Sequence, residues 1–139
     1  MSPPVDAALA AAVLAHLRSA RSEMVDRLGA LVDLDSPTDD PLALTAPRRL
    51  VAGWLDEVGY RSREVAATGV ADHLFARPAD RRRGRSVQLL VGHLDTVWPL
   101  GEAVHRPATG HDGELAGPGS FDMKAGVVQL VAARACLQH

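Results

Sequence analysis

The sequence predicts an α/β layered domain, and three observations carry that expectation. Apolar residues recur at helical spacing in the N-terminal part, residues 86–91 form an almost unbroken apolar run, and an apolar segment opens just after Asp122. A short continuous apolar run marks a strand buried on both faces, as in a sheet covered by helices on both sides. The full order reads helix, helix, strand, strand, strand, hairpin, helix, which gives an α/β layered architecture.

Each element has its own signal. Across residues 5–34, Leu14, Leu17, Met24, Leu28 and Leu31 fall on one helical stripe, while Arg18, Arg21, Glu23 and Arg27 take other faces. This predicts a long amphipathic helix with a break near Ser19. Asp35-Ser36-Pro37-Thr38-Asp39-Asp40-Pro41 stops it, since proline restricts the residue before it and Asp and Ser favour turns. Leu50, Val51, Trp54, Leu55 and Val58 outline a second helix, starting near Thr45 with Pro47 in its first turn and ending at Gly59. Residues 61–67 and 70–77 read as two short strands around Thr68-Gly69, and 80–85 as a polar loop. Residues 104–115, with the Asp112-Gly113 turn, read as a hairpin excursion. A largely apolar helix follows from Met123.

The bulk numbers bound the function. At 139 residues the chain is one domain long, with 47% hydrophobic and 23% charged residues. A net charge of −2 gives no global attraction to nucleic acid or to an anionic membrane surface. No run of apolar residues is long enough to predict a transmembrane helix. Residues 1–6 lack the basic start of a signal peptide. Cys136 is the single cysteine, which excludes an internal disulfide framework. The expected location is the cytoplasm. Fourteen of the 15 basic residues are Arg, a bias that discounts any one Arg cluster as a functional signal.

The chemistry lies in two stretches. Gly92-His93-Leu94-Asp95-Thr96-Val97-Trp98-Pro99 ends the apolar run. Residues i and i+2 of a strand share a face, so His93 and Asp95 are expected to project together. A metal-bound imidazole needs a partner for its other nitrogen, and a carboxylate serves. Ligands of open α/β sheets also gather at the carboxyl ends of strands. The second stretch, Gly117-Pro118-Gly119-Ser120-Phe121-Asp122-Met123-Lys124-Ala125-Gly126, delivers Asp122 from a glycine-rich turn. Its two oxygens could bridge two cations. Imidazole with carboxylates suits Zn2+, with Co2+ or Mn2+ as alternatives.

Together the two stretches resemble the N-terminal motifs of the M20 family of metallopeptidases. Trp98-Pro99, and Arg106-Pro107 ahead of the Asp112-Gly113 turn, are most similar to the glutamate carboxypeptidase branch. Ala108 and Ala116 stand where relatives often carry aromatic residues. The resemblance implies a partial three-layer α/β/α zinc-peptidase (aminopeptidase-like) catalytic domain, with residues 1–139 as its N-terminal part and the lid or dimerisation domain absent. It implies His93 as a metal ligand, Asp95 as the catalytic-site residue orienting it, and Asp122 as the carboxylate bridging two zinc ions. It implies hydrolysis of an amide beside a small acidic or N-acylated amino acid and a homodimer for the complete enzyme, while charge and hydropathy give no expectation of a nucleic-acid or membrane partner. Family members also place a Glu-Glu pair, another carboxylate and a second His after the bridging Asp. Residues 123–139 contain no Asp or Glu, and their only His is His139. The isolated chain is therefore expected to be inactive. The alternatives are a non-catalytic module that keeps the fold, or an acyl-amino-acid deacylase or desuccinylase within the family.

Other features have plainer readings. Gly117-x-Gly119-Ser120 with Lys124 could be a phosphate cradle, but Asp122 would put a negative charge in its middle. Arg81-Arg82-Arg83-Gly84-Arg85 reads as a solvated loop, and Cys136 as a small core residue. His16, His73 and His105 read as surface, strand or hairpin residues, and His111 beside Asp112 is the best of the remainder for substrate contact. Lys124 opens a helix and faces either the sheet or the site.

Overall fold

A computed structural model describes residues 6–82, 84 and 86–137. Residues 1–5, Arg83, Arg85 and His139, named above, lie outside the described residues. The chain is a small mixed α/β domain. Its elements are α1 (Ala7–Ser19), α2 (Arg21–Val32), α3 (Thr45–Glu57), β1 (Tyr60–Val65), β2 (His73–Pro78), α4 (Glu102–His105), β3 (Thr109–His111), β4 (Glu114–Ala116) and α5 (Ala125–Cys136). A wide turn, Ser120–Lys124, precedes α5.

The first predicted helix breaks at Ala20, one residue past Ser19, into α1 and α2. The Asp6 carboxylate accepts the Ala8 N–H and caps α1. The apolar stripe buries unevenly. Leu31 is wholly buried and Met24 and Leu28 are partly so, whereas Leu14 is exposed and α1 buries no residue. Helix α1 still lies beside α5 but buries none of its residues there. Helix α3 starts at Thr45 with Pro47 in its first turn, where a missing N–H costs nothing. Gly59, at φ +75°, ends it in the left-handed conformation that glycine tolerates best.

The core lies where α2, α3 and α5 meet: Leu31 against Val51, Trp54, Leu55 and Val58, and against Val127, Val128 and Val131. Strands β1 and β2 pair antiparallel from Tyr60 opposite Pro78 to Val65 opposite His73. Tyr60, Leu74 and Ala76 lie against the core. Arg27 fastens α2 to α3, pairing with Glu57 at 2.8 Å while its guanidinium lies 5.4 Å from the Trp54 ring centre. The second hairpin, β3–β4, turns at Asp112 and Gly113, both at positive φ, as its Asp-Gly pair predicts.

The expected central strand at residues 86–91 does not form. These residues carry no regular secondary structure, and Val87, Leu89, Leu90 and Val91 are 55–79% exposed. The apolar run has the composition of a doubly covered strand, yet β1 and β2 pair only with each other. A strand needs neighbours for its ladder and layers for both faces, and here it has neither. The described residues form a helical group packed on one hairpin, with a second small hairpin beside it, an arrangement compatible with part of an α/β fold. No helix among the described residues is long and apolar enough to cross a membrane.

The contrast in burial sets a test. Leu31→Ala should cost about 2–5 kcal/mol, read as a shift in the urea midpoint. Leu89→Lys should change stability by less than about 0.5 kcal/mol while reducing light scattering by the concentrated chain, because it charges an exposed apolar segment. Equal destabilisation by the two would contradict this distribution of the core.

Candidate metal centre

The site is assembled around the loop that leaves α2. Thr96 bridges to this loop in parallel fashion, its N–H donating to the Ser36 carbonyl at 2.7 Å and its carbonyl accepting from the Thr38 N–H at 3.0 Å. This single bridge, rather than a strand, holds the His93–Asp95 segment. Leu94 turns into the core, and Gly92 passes so close to Met123 that a Cβ there would lie 3.0 Å from its Cε.

The Asp122 turn is held from the other side. Gly119 sits at φ +72°, and a Cβ on it would come within 2.5 Å of the Thr96 methyl. Gly117, at φ +153°, would drive a Cβ into Val32. Both glycines are thus required by close approach as well as by backbone conformation. The Asp122–Met123 peptide bond is cis.

These two supports bring the three expected residues together. His93 Nε2 lies 3.2 Å from Asp122 Oδ1. On the opposite side of the ring, Nδ1 lies 3.0 Å from the Asp95 carbonyl and 3.4 Å from its Oδ1. Asp95 Oδ2 in turn accepts from the Thr38 hydroxyl at 2.7 Å. His93 and Asp95 do face each other, although no strand sets their alternation. Asp122 is the most open of the three. Burial lowers the His93 pKa, but hydrogen bonds to the Asp95 carbonyl and the Asp122 carboxylate, with both negative charges, outweigh it and leave the pKa above 6.5.

An open cleft of about 350 Å³ lies over this group, lined by Thr38, Trp98, Ser120 and Phe121 among others. Arg106 stacks on Trp98 at 4.8 Å and pairs with Glu102 at 3.0 Å. His111 pairs with Asp112 at 3.0 Å on an exposed turn and does not line the cleft.

Two residues were missed or left undecided by sequence reasoning. Thr38 reads as part of a helix stop, and nothing in its local pattern points to Asp95. Lys124 is 1% exposed, its Nζ donating to the Leu34 carbonyl at 2.9 Å. Burial pushes its pKa down to about 8, against the opposing pull of Asp35 and Asp33.

His93 and Asp122 are, in kind and spacing, what two of a zinc ion's ligands would be. Two ligands on a tetrahedral zinc with bonds of about 2.0–2.2 Å stand roughly 3.3–3.5 Å apart, close to the His93–Asp122 separation of 3.2 Å. Among the described residues, no group of three or more His, Cys, Asp or Glu side chains is arranged to hold a metal ion. The arrangement is a pair of donors with Asp95 behind the imidazole. No protein-family model matches this chain, and no curated protein matches it.

The two shifted groups act on stability with opposite signs. The raised His93 pKa adds stability that is complete below pH 6.5 and lost as pH rises through the folded value. The lowered Lys124 pKa does the reverse: between about 8 and the ordinary 10.5 the unfolded chain binds more protons, so stability rises with pH. In NMR titrations His93 should show a midpoint above 6.5, falling in Asp122→Asn. The stability of wild type relative to Lys124→Met should rise from pH 8 to 10.5, and a constant difference would contradict the assigned shift.

Proposed function

We propose that the chain carries the first part of the metal centre of a zinc-dependent hydrolase of the M20 type, cleaving an amide beside a small acidic or N-acylated amino acid. The observation that carries the reading is the meeting of His93, Asp95 and Asp122. They lie up to 29 residues apart in sequence, and the ring has a carboxylate donor at Nε2 and an orienting group at Nδ1. The resemblance assigns the same three residues the same roles. Trp98 and Arg106, each part of a dipeptide that points to the glutamate carboxypeptidase branch, also stack on one another.

Each side chain has a task that follows from its contacts. His93 offers Nε2 once it has shed its proton, so binding of a cation there strengthens as pH rises through the raised pKa. Asp95 holds the imidazole by Nδ1 and fixes which nitrogen is free. Thr38 takes one Asp95 oxygen and leaves the other toward the ring. Asp122 presents a well-exposed carboxylate beside Nε2. When bound, zinc polarises a carbonyl and lowers the pKa of a coordinated water. A general base and further ligands belong to this reading and are not among the three residues.

The test is hydrolysis of N-acyl-glutamate and N-succinyl amino acids by the protein expressed from its complete reading frame. Activity should need Zn2+, vanish with a chelator, and vanish in His93→Ala and Asp122→Ala. Asp95→Asn and Thr38→Val should weaken zinc binding by about 10–100-fold. The 139-residue chain alone should show no turnover. Hydrolysis indifferent to chelator and to His93→Ala would sink the proposal, and zinc binding without turnover would favour a non-catalytic module.

A further inference from the structure

Lys124 is the largest fully buried side chain among the described residues, and the chemistry assigned to the site does not use it. Lysine is seldom fully buried, because desolvating an ammonium is costly unless its donors are satisfied. Its Nζ donates across 90 residues of sequence, to the Leu34 carbonyl. The neighbouring carboxylates are turned to other partners. Asp35 accepts from the N–H groups of Gly101 and Ala103 at 2.8 and 2.9 Å, and Asp33 from Ala108 at 2.7 Å. The ammonium therefore lies beside two negative charges while bonding to a backbone oxygen between them in sequence.

The other end of the same residue closes the turn that presents Asp122. The Lys124 N–H donates to the Gly119 carbonyl at 3.0 Å, and its Cδ lies under Gly119, where a Cβ would approach to 3.4 Å. The loop it grips also carries Thr38, which holds Asp95, and Ser36, which holds Thr96. Asp122 and the His93–Asp95 pair are thus referenced to one loop, the first through Lys124 and the second through Thr38 and Ser36.

We infer that Lys124 is a positioning residue: by clamping the Asp122 turn to the Leu34 carbonyl it sets the distance between Asp122 and His93, and with it the grip of the pair on a divalent cation. The inference rests on the metal-centre reading above. A purely structural lysine would support folding without controlling that distance.

The test follows Zn2+ binding by NMR at the His93 imidazole, which isolates this site from other surface ligands. In wild type, His93 resonances should shift saturably with Zn2+. In Lys124→Met, of similar length but unable to donate, the apparent affinity should fall by about 10–100-fold, measured well below the thermal transition of both proteins. Lys124→Arg, which keeps a donor, should recover part of the loss. In wild type alone, the Leu34 carbonyl carbon should move in step with His93 during the titration, an arm that does not depend on any variant folding. Equal Zn2+ affinity in wild type and Lys124→Met, or a Leu34 signal that stays still while His93 saturates, overturns the positioning role. Absence of any Zn2+ effect on wild-type His93 overturns the metal-centre reading itself, and the inference with it.

Discussion

Polar groups taken out of water need partners, and the α2 exit loop finds most of its own on segments far along the chain, the buried Ser36 hydroxyl being the exception. The Asp33 carboxylate takes the Ala108 N–H, the Leu34 carbonyl takes the Lys124 ammonium, and the Asp35 carboxylate takes two N–H groups at the start of α4. The Ser36 carbonyl and Thr38 N–H take Thr96. Five nearby residues thereby fix four later segments. None of these contacts is worth much alone, since a typical hydrogen bond contributes about 0.5–1.5 kcal/mol net. Leaving any buried member unpaired costs more, and that asymmetry holds the set together.

The geometry of the candidate centre follows from this crowding. Segments drawn onto one loop must pass within van der Waals distance of each other, and the chain accommodates that with glycine at 117 and 119. Val32 and the Thr96 methyl occupy the space where side chains would otherwise stand. Asp122 is consequently presented from a turn with little freedom to retreat, next to an imidazole whose other side is already engaged. Electrostatics then acts on positions that packing has set. The hydrogen bond to the Asp95 carbonyl, joined by the two carboxylates, outweighs burial at His93, whereas at Lys124 burial outweighs the two aspartates.

Local signals made much of this legible from the residues. The Ser19 break, the start of α3 at Thr45, its end at Gly59 and the Asp112-Gly113 turn each depend on a few adjacent residues, and each is found at or within a residue of its expected place. That His93 and Asp95 face each other was expected from their i, i+2 spacing, and the glycine-rich turn before Asp122 does take a left-handed path at Gly119. Thr38 and Lys124 were not assigned, because their importance arises from partners 57 and 90 residues away. The run at 86–91 misled for a related reason: apolar composition states what a strand would bury, but only tertiary neighbours decide whether it does.

That failure also shows what the centre depends on. If His93 were placed by strand pairing, an unpaired 86–91 segment would leave it unplaced. Instead, order enters at Thr96 and Leu94, on the far side of His93 from the exposed run, and the imidazole is held by contacts to Asp95 and Asp122. The His93–Asp122 geometry is therefore separable from the sheet that the apolar run was expected to build. Covering residues 86–91 would add burial and stability to the chain, while the His93–Asp122 contact stands without it.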